Sequence, residues 1–367
     1  MKKSVNLGSM KRVFQISAAL AMLVALSSCA DKAAKIDKEL KSWFRQDEPG
    51  VAVLVMRSDT VLFQGCYGLA DMETKARVTP QTNFNIASVS KQFTATAVMQ
   101  LAEEGKLLLT DPVGDYFPEY TDPLWQKVQI RHLMSHTSGI PDLRDYPREV
   151  KIKGDDNLAI EYMQTLDTLL FEPGTDYRYT NPTYVLLGRL IERVSGQPFE
   201  EYMAEHIFAP AGMTNTCYFG PEKEIPDMAH AYDFIDEIPR RWPELDYGED
   251  TFFATRPDGG IYTSIEDLSK WIPALVDGKI VSSKSLEALW TPFLGMKDGE
   301  GYGYGFGVME RDSLRIIYHF GGNGAFRSAE AYYPEQKGLI LILAAQNYWD
   351  RDVLWKKLED AFILGKE

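Results

Sequence analysis

An α+β fold, an antiparallel sheet flanked by helices with a mostly helical lobe inserted, is predicted for this 367-residue chain by the placement of its two periodicities. Short runs rich in β-branched and aromatic residues lie near both ends, at 51–56, 60–67, 314–319, 329–333 and 338–344. Helical spacing dominates between them. A chain with strands at both ends and helices in the middle completes one sheet-bearing lobe with its C-terminus. The expected lobes are α/β over about 37–80 and 255–365, and helical over about 81–254.

The first 28 residues stand apart. Lys2, Lys3, Lys11 and Arg12 make a basic start, 13–26 is a short apolar run, and Leu26-Ser27-Ser28-Cys29 follows. That order describes a secretory signal whose apolar run is too short to favour a stable membrane span. An ordinary signal with an incidental cysteine is one reading. In the other, the segment resembles a bacterial lipoprotein signal, which makes Cys29 the lipidated mature N-terminus and 29–36 a tether. The rest of the chain would then stand outside the cytoplasm, anchored in the cell envelope by lipid.

Composition fits a folded, secreted chain. The apolar fraction is 45% and the formal charge is −14, with four of the 39 basic residues confined to the basic start. Such an acidic surface repels nucleic acid. Cys66 and Cys217 are the cysteines beyond Cys29. Their separation permits a disulfide without implying one, and two buried thiols are expected. No Cys/His cluster has metal spacing, and neither an H-E-x-x-H helix nor a Walker loop occurs, so no metal or cofactor is expected.

The remaining elements follow in order. Residues 36–44 carry an amphipathic helical pattern, and 51–56 with 60–67 make a hairpin around Arg57-Ser58-Asp59. A helix follows Ser88, and 106–113 and 128–133 flank a surface loop holding Pro118 and Pro123. His132 and His136 are read as structural, as are Asp142 and Asp145. Helices are expected over 158–169, from Asn181-Pro182 to Gly196, and from 199 to 207. Residues 222–253, acidic and without period, read as an insertion walling a cleft. Helices over 265–276, 286–290 and 349–362 complete the set. The glycine-aromatic alternation of 301–307 reads as one strand with a crowded face, not a dinucleotide loop.

Chemistry concentrates at Phe84 to Gly105. Ser88-Val89-Ser90-Lys91 is the one S-x-x-K in the chain. If Ser88 opens a helix, residues i and i+3 share a face, and hydroxyl and amine can meet. A serine becomes a good nucleophile when a base takes its proton, and a partly desolvated lysine can do so. The same four residues also suit an N-cap followed by a solvated lysine. Tyr179-Thr180-Asn181 is the one Y-x-N, and His319-Phe320-Gly321-Gly322 lies near the C-terminus. A phenol beside an amine can shuttle a proton, and Asn181 offers an amide to orient Lys91 or a substrate carbonyl.

S-x-x-K, Y-x-N and a basic-residue-x-G strand, in that order, resemble the penicillin-recognising serine hydrolases. The closest likeness is to the serine β-lactamase-related, penicillin-binding-protein-like group of class C β-lactamases, D-alanyl-D-alanine carboxypeptidases and family VIII esterases. The segments 130–142, 187–196 and 259–268 read the same way, so the likeness covers about 37–365. It implies a two-lobe fold with the cleft at the junction and an acyl-enzyme on Ser88, with Lys91 and Tyr179 relaying the proton. It also implies an oxyanion hole from the Ser88 and Gly322 N–H groups beside Gly321, with Asn181 on the substrate side. His319 would replace the more usual lysine. Phe320 stands where relatives carry a hydroxyl for a substrate carboxylate, and Arg327 is the candidate substitute anchor. Ester, peptide or amide cleavage of cell-wall-related or D-amino-acid substrates is therefore expected ahead of β-lactam hydrolysis or binding. A non-catalytic sensor on the same fold is disfavoured by the presence of Ser88, Lys91 and Tyr179 together.

Overall fold

The computed structural model describes residues 31–142, 155–219, 224–235, 238–241 and 255–366. Cys29, the expected signal segment and Asp145 lie outside the described residues. The first helix, α1, runs over residues 31–43, so the segment expected to serve as a tether is helical from 31 onward. Its apolar positions Ile36, Leu40 and Phe44 recur every four residues and are buried. Lys32 Nζ, at its start, donates to the Gly365 carbonyl at 2.8 Å, which fastens the helix to the far end of the chain.

Strands β1 (Val51–Arg57) and β2 (Thr60–Tyr67) form the expected hairpin. Two short strands, β3 (Phe84–Asn85) and β4 (Cys217–Tyr218), lie outside the main sheet. Next come β5 (Tyr232–Ile235), β6 (Ile238–Arg241) and β7 (Ile261–Thr263). The C-terminal strands are β8 (Glu300–Tyr302), β9 (Gly307–Arg311), β10 (Leu314–Asn323), β11 (Phe326–Tyr333) and β12 (Gly338–Ala344). The main sheet has seven strands in the order β2-β1-β12-β11-β10-β9-β8. The chain's two ends thus meet at the β1–β12 pair, Val51 opposite Ala344 and Arg57 opposite Gly338. Both strands are buried on both faces, which explains why they read as continuous apolar runs.

One face of the sheet packs on α1 and the C-terminal helix Arg351–Leu358, through Val51, Val53, Ile340, Ile342, Leu354 and Leu358. The other face meets the larger helical body, centred on α2 (Ser90–Glu103). Almost every α2 residue from Ser90 to Leu101 is buried, so this is a central helix with no solvent stripe.

Several elements depart from expectation. The 301–307 run is not one strand but β8, a turn and β9, because its glycines serve close contacts. A Cβ on Gly303 would lie 2.2 Å from the Leu289 carbonyl, and Gly305 has φ +80° with the Lys91 carbonyl 2.8 Å from where its Cβ would be. The described part of 222–253 contains a hairpin, β5–β6, with Tyr232 N–H donating to the Ala345 carbonyl at 2.8 Å. The helix expected over 265–276 is two, Ile265–Leu268 and Trp271–Val276. That expected over 158–169 is Asp156–Gln164. The ends of 199–207 and 349–362 wind as π-helix, at Met203–Phe208 and Glu359–Ile363. Cys66 and Cys217 form no disulfide and are half-buried rather than buried.

Candidate active site

Ser88 lies in a 3₁₀ turn, Ala87–Val89, that feeds directly into α2. The turn is strained, since Ala87 has φ +47°. Its surroundings hold it there. Asn85 Oδ1 accepts from Ala87 N–H at 2.9 Å and from Asn323 Nδ2 at 3.3 Å, while Asn85 Nδ2 donates to the Gly259 carbonyl at 3.2 Å. Ser328 Oγ donates to the Ile86 carbonyl at 2.7 Å. Gly321 lets β10 come this close, because a Cβ there would lie 2.2 Å from Ser328 Oγ and 2.4 Å from the Ile86 carbonyl.

Lys91, one turn on, is fully buried. Its Nζ lies 3.2 Å from Ser88 Oγ and donates to Asn181 Oδ1 at 2.9 Å and to the Asp258 carbonyl at 2.7 Å. Nζ also stands 5.0 Å from the Tyr179 ring centroid and 5.5 Å from that of Tyr184. Ser88, Lys91, Tyr179 and Asn181, from two distant stretches of sequence, thus meet around one nitrogen.

Asn181 occupies the N-cap position of the helix Pro182–Ser195, yet its side chain makes no capping bond. It is turned inward instead. Asp142 Oδ2 accepts from Asn181 N–H at 2.9 Å and lies 3.4 Å from Asn181 Nδ2, leaving Asn181 Oδ1 for Lys91. Asp142, expected to be merely structural, therefore orients a group in the site.

The two early histidines divide. His132 Nδ1 accepts from Gln129 N–H at 3.2 Å and caps the Ile130–Met134 helix, and burial pushes its pKa down to about 4. His136 is also held locally, its Nδ1 accepting from Thr180 N–H at 3.3 Å, but its ring lies 4.2 Å from the Tyr179 ring. Burial, then the Lys91 charge, push its pKa well below the usual histidine range. It supports Tyr179 as a neutral wall.

His319 sits on β10, its ring 6.3 Å from that of Tyr179. Nδ1 is 2.8 Å from the Phe320 carbonyl, which can only accept, so Nδ1 carries the proton and Nε2 accepts from the Tyr302 hydroxyl at 2.9 Å. Burial, with the Lys91 charge, lowers its pKa to about 3. His319 is thus a neutral imidazole, not a substitute cation. β9 pairs with β10 only as far as Tyr318, opposite Gly307. Residues 319–323 continue past it along β11 and bring Gly321 to the Ser88 turn, with Gly322 next in the strand beside Arg327.

Phe320, whose position was expected to face a substrate carboxylate, points away from the site, whereas Arg327 stays beside Gly322, its Nη1 3.4 Å from where a Cβ there would lie. The Phe320 ring packs 5.2 Å from that of Trp355 and under the Arg351 guanidinium at 3.7 Å, on the sheet face opposite Ser88. Arg327, opposite Gly322 on β11, turns Nη1 to the Gly324 and Phe326 carbonyls at 2.7 Å each and braces the β10–β11 turn. Asp258, by contrast, belongs to no motif and is missed by sequence reasoning. Its carboxyl is buried with Oδ2 4.0 Å from Lys91 Nζ.

Comparison with known proteins identifies the fold and the family. The chain is 34% identical over 264 residues to PbpX of Bacillus subtilis (strain 168), a protein named for penicillin binding, a match covering 71% of this chain and 62% of that one. The matched region thus spans about six-tenths of that relative's length. Among solved structures, the octameric penicillin-binding protein homologue from Pyrococcus abyssi superposes with TM-score 0.79 at 28% identity, covering 92% of this chain and 78% of that one. EstCE1, a hydrolase with promiscuous acyltransferase activity, shares the fold with TM-score 0.76 at 22% identity, over 92% of this chain and 99% of its own. A family model described as Beta-lactamase matches residues 30–361, and the chain belongs to that family, whose members are usually serine hydrolases.

Proposed function

We propose that the protein hydrolyses an ester, peptide or amide through an acyl-enzyme on Ser88. The observation that carries this reading is the Lys91 Nζ placed 3.2 Å from Ser88 Oγ and beside Tyr179 in a buried setting. Ser88 Oγ attacks the carbonyl carbon, and its proton passes through Lys91 and Tyr179 to the leaving group. Water then cleaves the acyl-enzyme with the same groups returning the proton. The Ser88 and Gly322 N–H groups would face the developing oxyanion, a contribution often worth several kcal/mol.

Neutral esters and D-amino-acid amides suit this site better than β-lactams. A β-lactam brings a carboxylate, while His319 is held neutral and Arg327 turns its Nη1 into the β10–β11 turn. β-Lactam hydrolysis or penicillin binding is the second reading, supported by the relatives named for penicillin binding. Intact-protein mass spectrometry after exposure to a β-lactam, a D-alanyl peptide and short-chain esters separates the two. An acyl adduct that maps to Ser88 and disappears in Ser88→Ala supports the mechanism, and an adduct that persists refutes it.

The Leu26-Ser27-Ser28-Cys29 sequence supports a lipid anchor that places this chemistry in the cell envelope. Cys29→Ser should abolish acyl modification and stable membrane fractionation. Unchanged membrane retention, with no acyl mass on the wild-type N-terminal peptide, would refute the anchor.

A further inference from the structure

The 255–260 loop is gripped from two sides. On α2, Thr94 Oγ1 donates to the Pro257 carbonyl at 2.6 Å and Lys91 Nζ to the Asp258 carbonyl at 2.7 Å. From the other side, the Asp156 carboxylate accepts from Arg256 N–H at 3.1 Å. This grip fixes the Asp258 side chain. Its Oδ2 stands 4.0 Å from Lys91 Nζ, and Oδ1 has no hydrogen-bond partner among the described residues. A buried carboxylate is strongly disfavoured unless a positive charge lies close by. Lys91 Nζ supplies that charge.

The contacts of Lys91 to Asn181, Asp258 and Ser88 admit two protonation states. Asn181 Oδ1 and the Asp258 carbonyl can only accept, so each takes one N–H. The third position, towards Ser88 Oγ, is either a third N–H of an ammonium or the lone pair of a neutral amine. Geometry around Ser88 alone leaves this open. The Asp258 carboxylate favours the ammonium.

We propose that Asp258 is a positioning residue that keeps Lys91 protonated in the resting enzyme and thereby sets the pH at which Ser88 is activated. The inference rests on the serine-hydrolase reading and adds control of its base. Lys91 gives its proton to solvent before it can take one from Ser88, so the reactive fraction rises with pH through the Lys91 titration. The groups facing this pair come from several elements. The 136–142 segment brings His136 and Asp142, the helix Pro182–Ser195 and its approach bring Tyr184 and Tyr179, and β10 brings His319. Asp156 and Arg256 stand behind the loop. Both histidines are driven neutral, so they add no positive charge to compete for Asp258. Burial holds the Asp258 carboxyl above its ordinary range, against the downward pull of the Lys91 charge and of a hydrogen bond from Thr255.

The test reads Lys91 directly. Full-length protein carrying ¹³Cε-lysine is titrated by NMR between about pH 5 and 10, with the Lys91 resonance assigned by its loss in Lys91→Arg. Lys91 is expected to be an ammonium at about pH 7, and its midpoint to fall by about one pH unit or more in Asp258→Asn, as loss of a buried charge partner predicts. The acid limb of Ser88 labelling by a fluorophosphonate should move to lower pH in the same variant, a shift that mere loss of packing would not produce. A neutral amine at about pH 7 in the wild type, or superposable titrations in the two proteins, would overturn the proposal. If Asp258→Asn does not fold, the wild-type titration decides alone. Absence of any labelling at Ser88 would instead sink the serine-hydrolase reading, while the titration still reports on Asp258.

Discussion

The Asp142 carboxylate, 2.9 Å from Asn181 N–H and 3.4 Å from its Nδ2, determines which end of that amide faces Lys91. Without it, the amide can rotate and present Nδ2, a donor, to the Lys91 ammonium. Asp142→Ala should therefore lower kcat on a short-chain ester about ten- to a hundredfold, the loss expected when a hydrogen bond to a charged group is removed, with KM changed less. Steady-state kinetics on folded variant protein check this. Wild-type turnover in Asp142→Ala would show that Asn181 needs no such support.

Lys91 and Tyr179 are the second pair. Lys91 Nζ lies 5.0 Å from the Tyr179 ring centroid, and the two share a buried space with His136 and Tyr302. Groups that pass one proton between them act as a unit, and knocking out either removes most of its effect. Lys91→Ala and Tyr179→Phe should each lose most of kcat, and the double variant little more than the worse single one. Losses that multiply fully in a double-mutant cycle would show two independent functions.

How much of this was legible in the sequence depends on the range of each relationship. Ser88 and Lys91 are three residues apart on one helix start, and helical geometry alone brings them together. The sheet was legible because β1 and β12 are apolar runs of strand length at opposite ends of the chain. Asp142 and Asp258 were not, because a loop carboxylate has no period and its role comes from which backbone and side chain pack against it. Asn181 was half-legible. Its position before Pro182 correctly marks a helix start, but the side chain that would cap it is taken by Lys91 and Asp142. Gly303 and Gly305 broke an apparent strand for a similar reason, since what they accommodate is Leu289 and the α2 backbone.

Phe320 illustrates a rule available from the start. Successive strand residues point to opposite faces, so if His319 faces Ser88, Phe320 cannot. The ring packs on Tyr318, Trp355 and Arg351 instead. Phe320→Thr should cost stability, about 1–3 kcal/mol for trimming a half-buried aromatic, and leave turnover of a neutral ester within about threefold of wild type. It should not raise nitrocefin hydrolysis. Chemical denaturation and parallel assays on the two substrates test both halves, and a selective gain on nitrocefin would place residue 320 at the substrate after all.

The last prediction concerns Glu330, on β11 opposite His319 and fully buried beside Gln92. One carboxyl oxygen has no hydrogen-bond partner among the described residues, and burial raises the pKa from its ordinary 4.5 to about 8. The folded protein therefore holds this proton between pH 4.5 and 8, where the unfolded chain has released it. Stability from this group is fully present below pH 4.5 and declines as pH rises towards 8, by roughly 1.4 kcal/mol per unit at most. His132, His136 and His319, with lowered pKa values, act in the opposite sense below their ordinary 6.5, and Asp156, raised to about 7, acts in the same sense as Glu330. Wild-type stability alone thus mixes several titrations. Glu330→Gln isolates one, because an amide keeps the shape and cannot ionise. The stability difference between Glu330→Gln and wild type should shift in favour of the variant from about pH 5 to 8 and then level off, read by denaturant titration at each pH. A difference that stays constant across that range would mean Glu330 is not protonated in the fold.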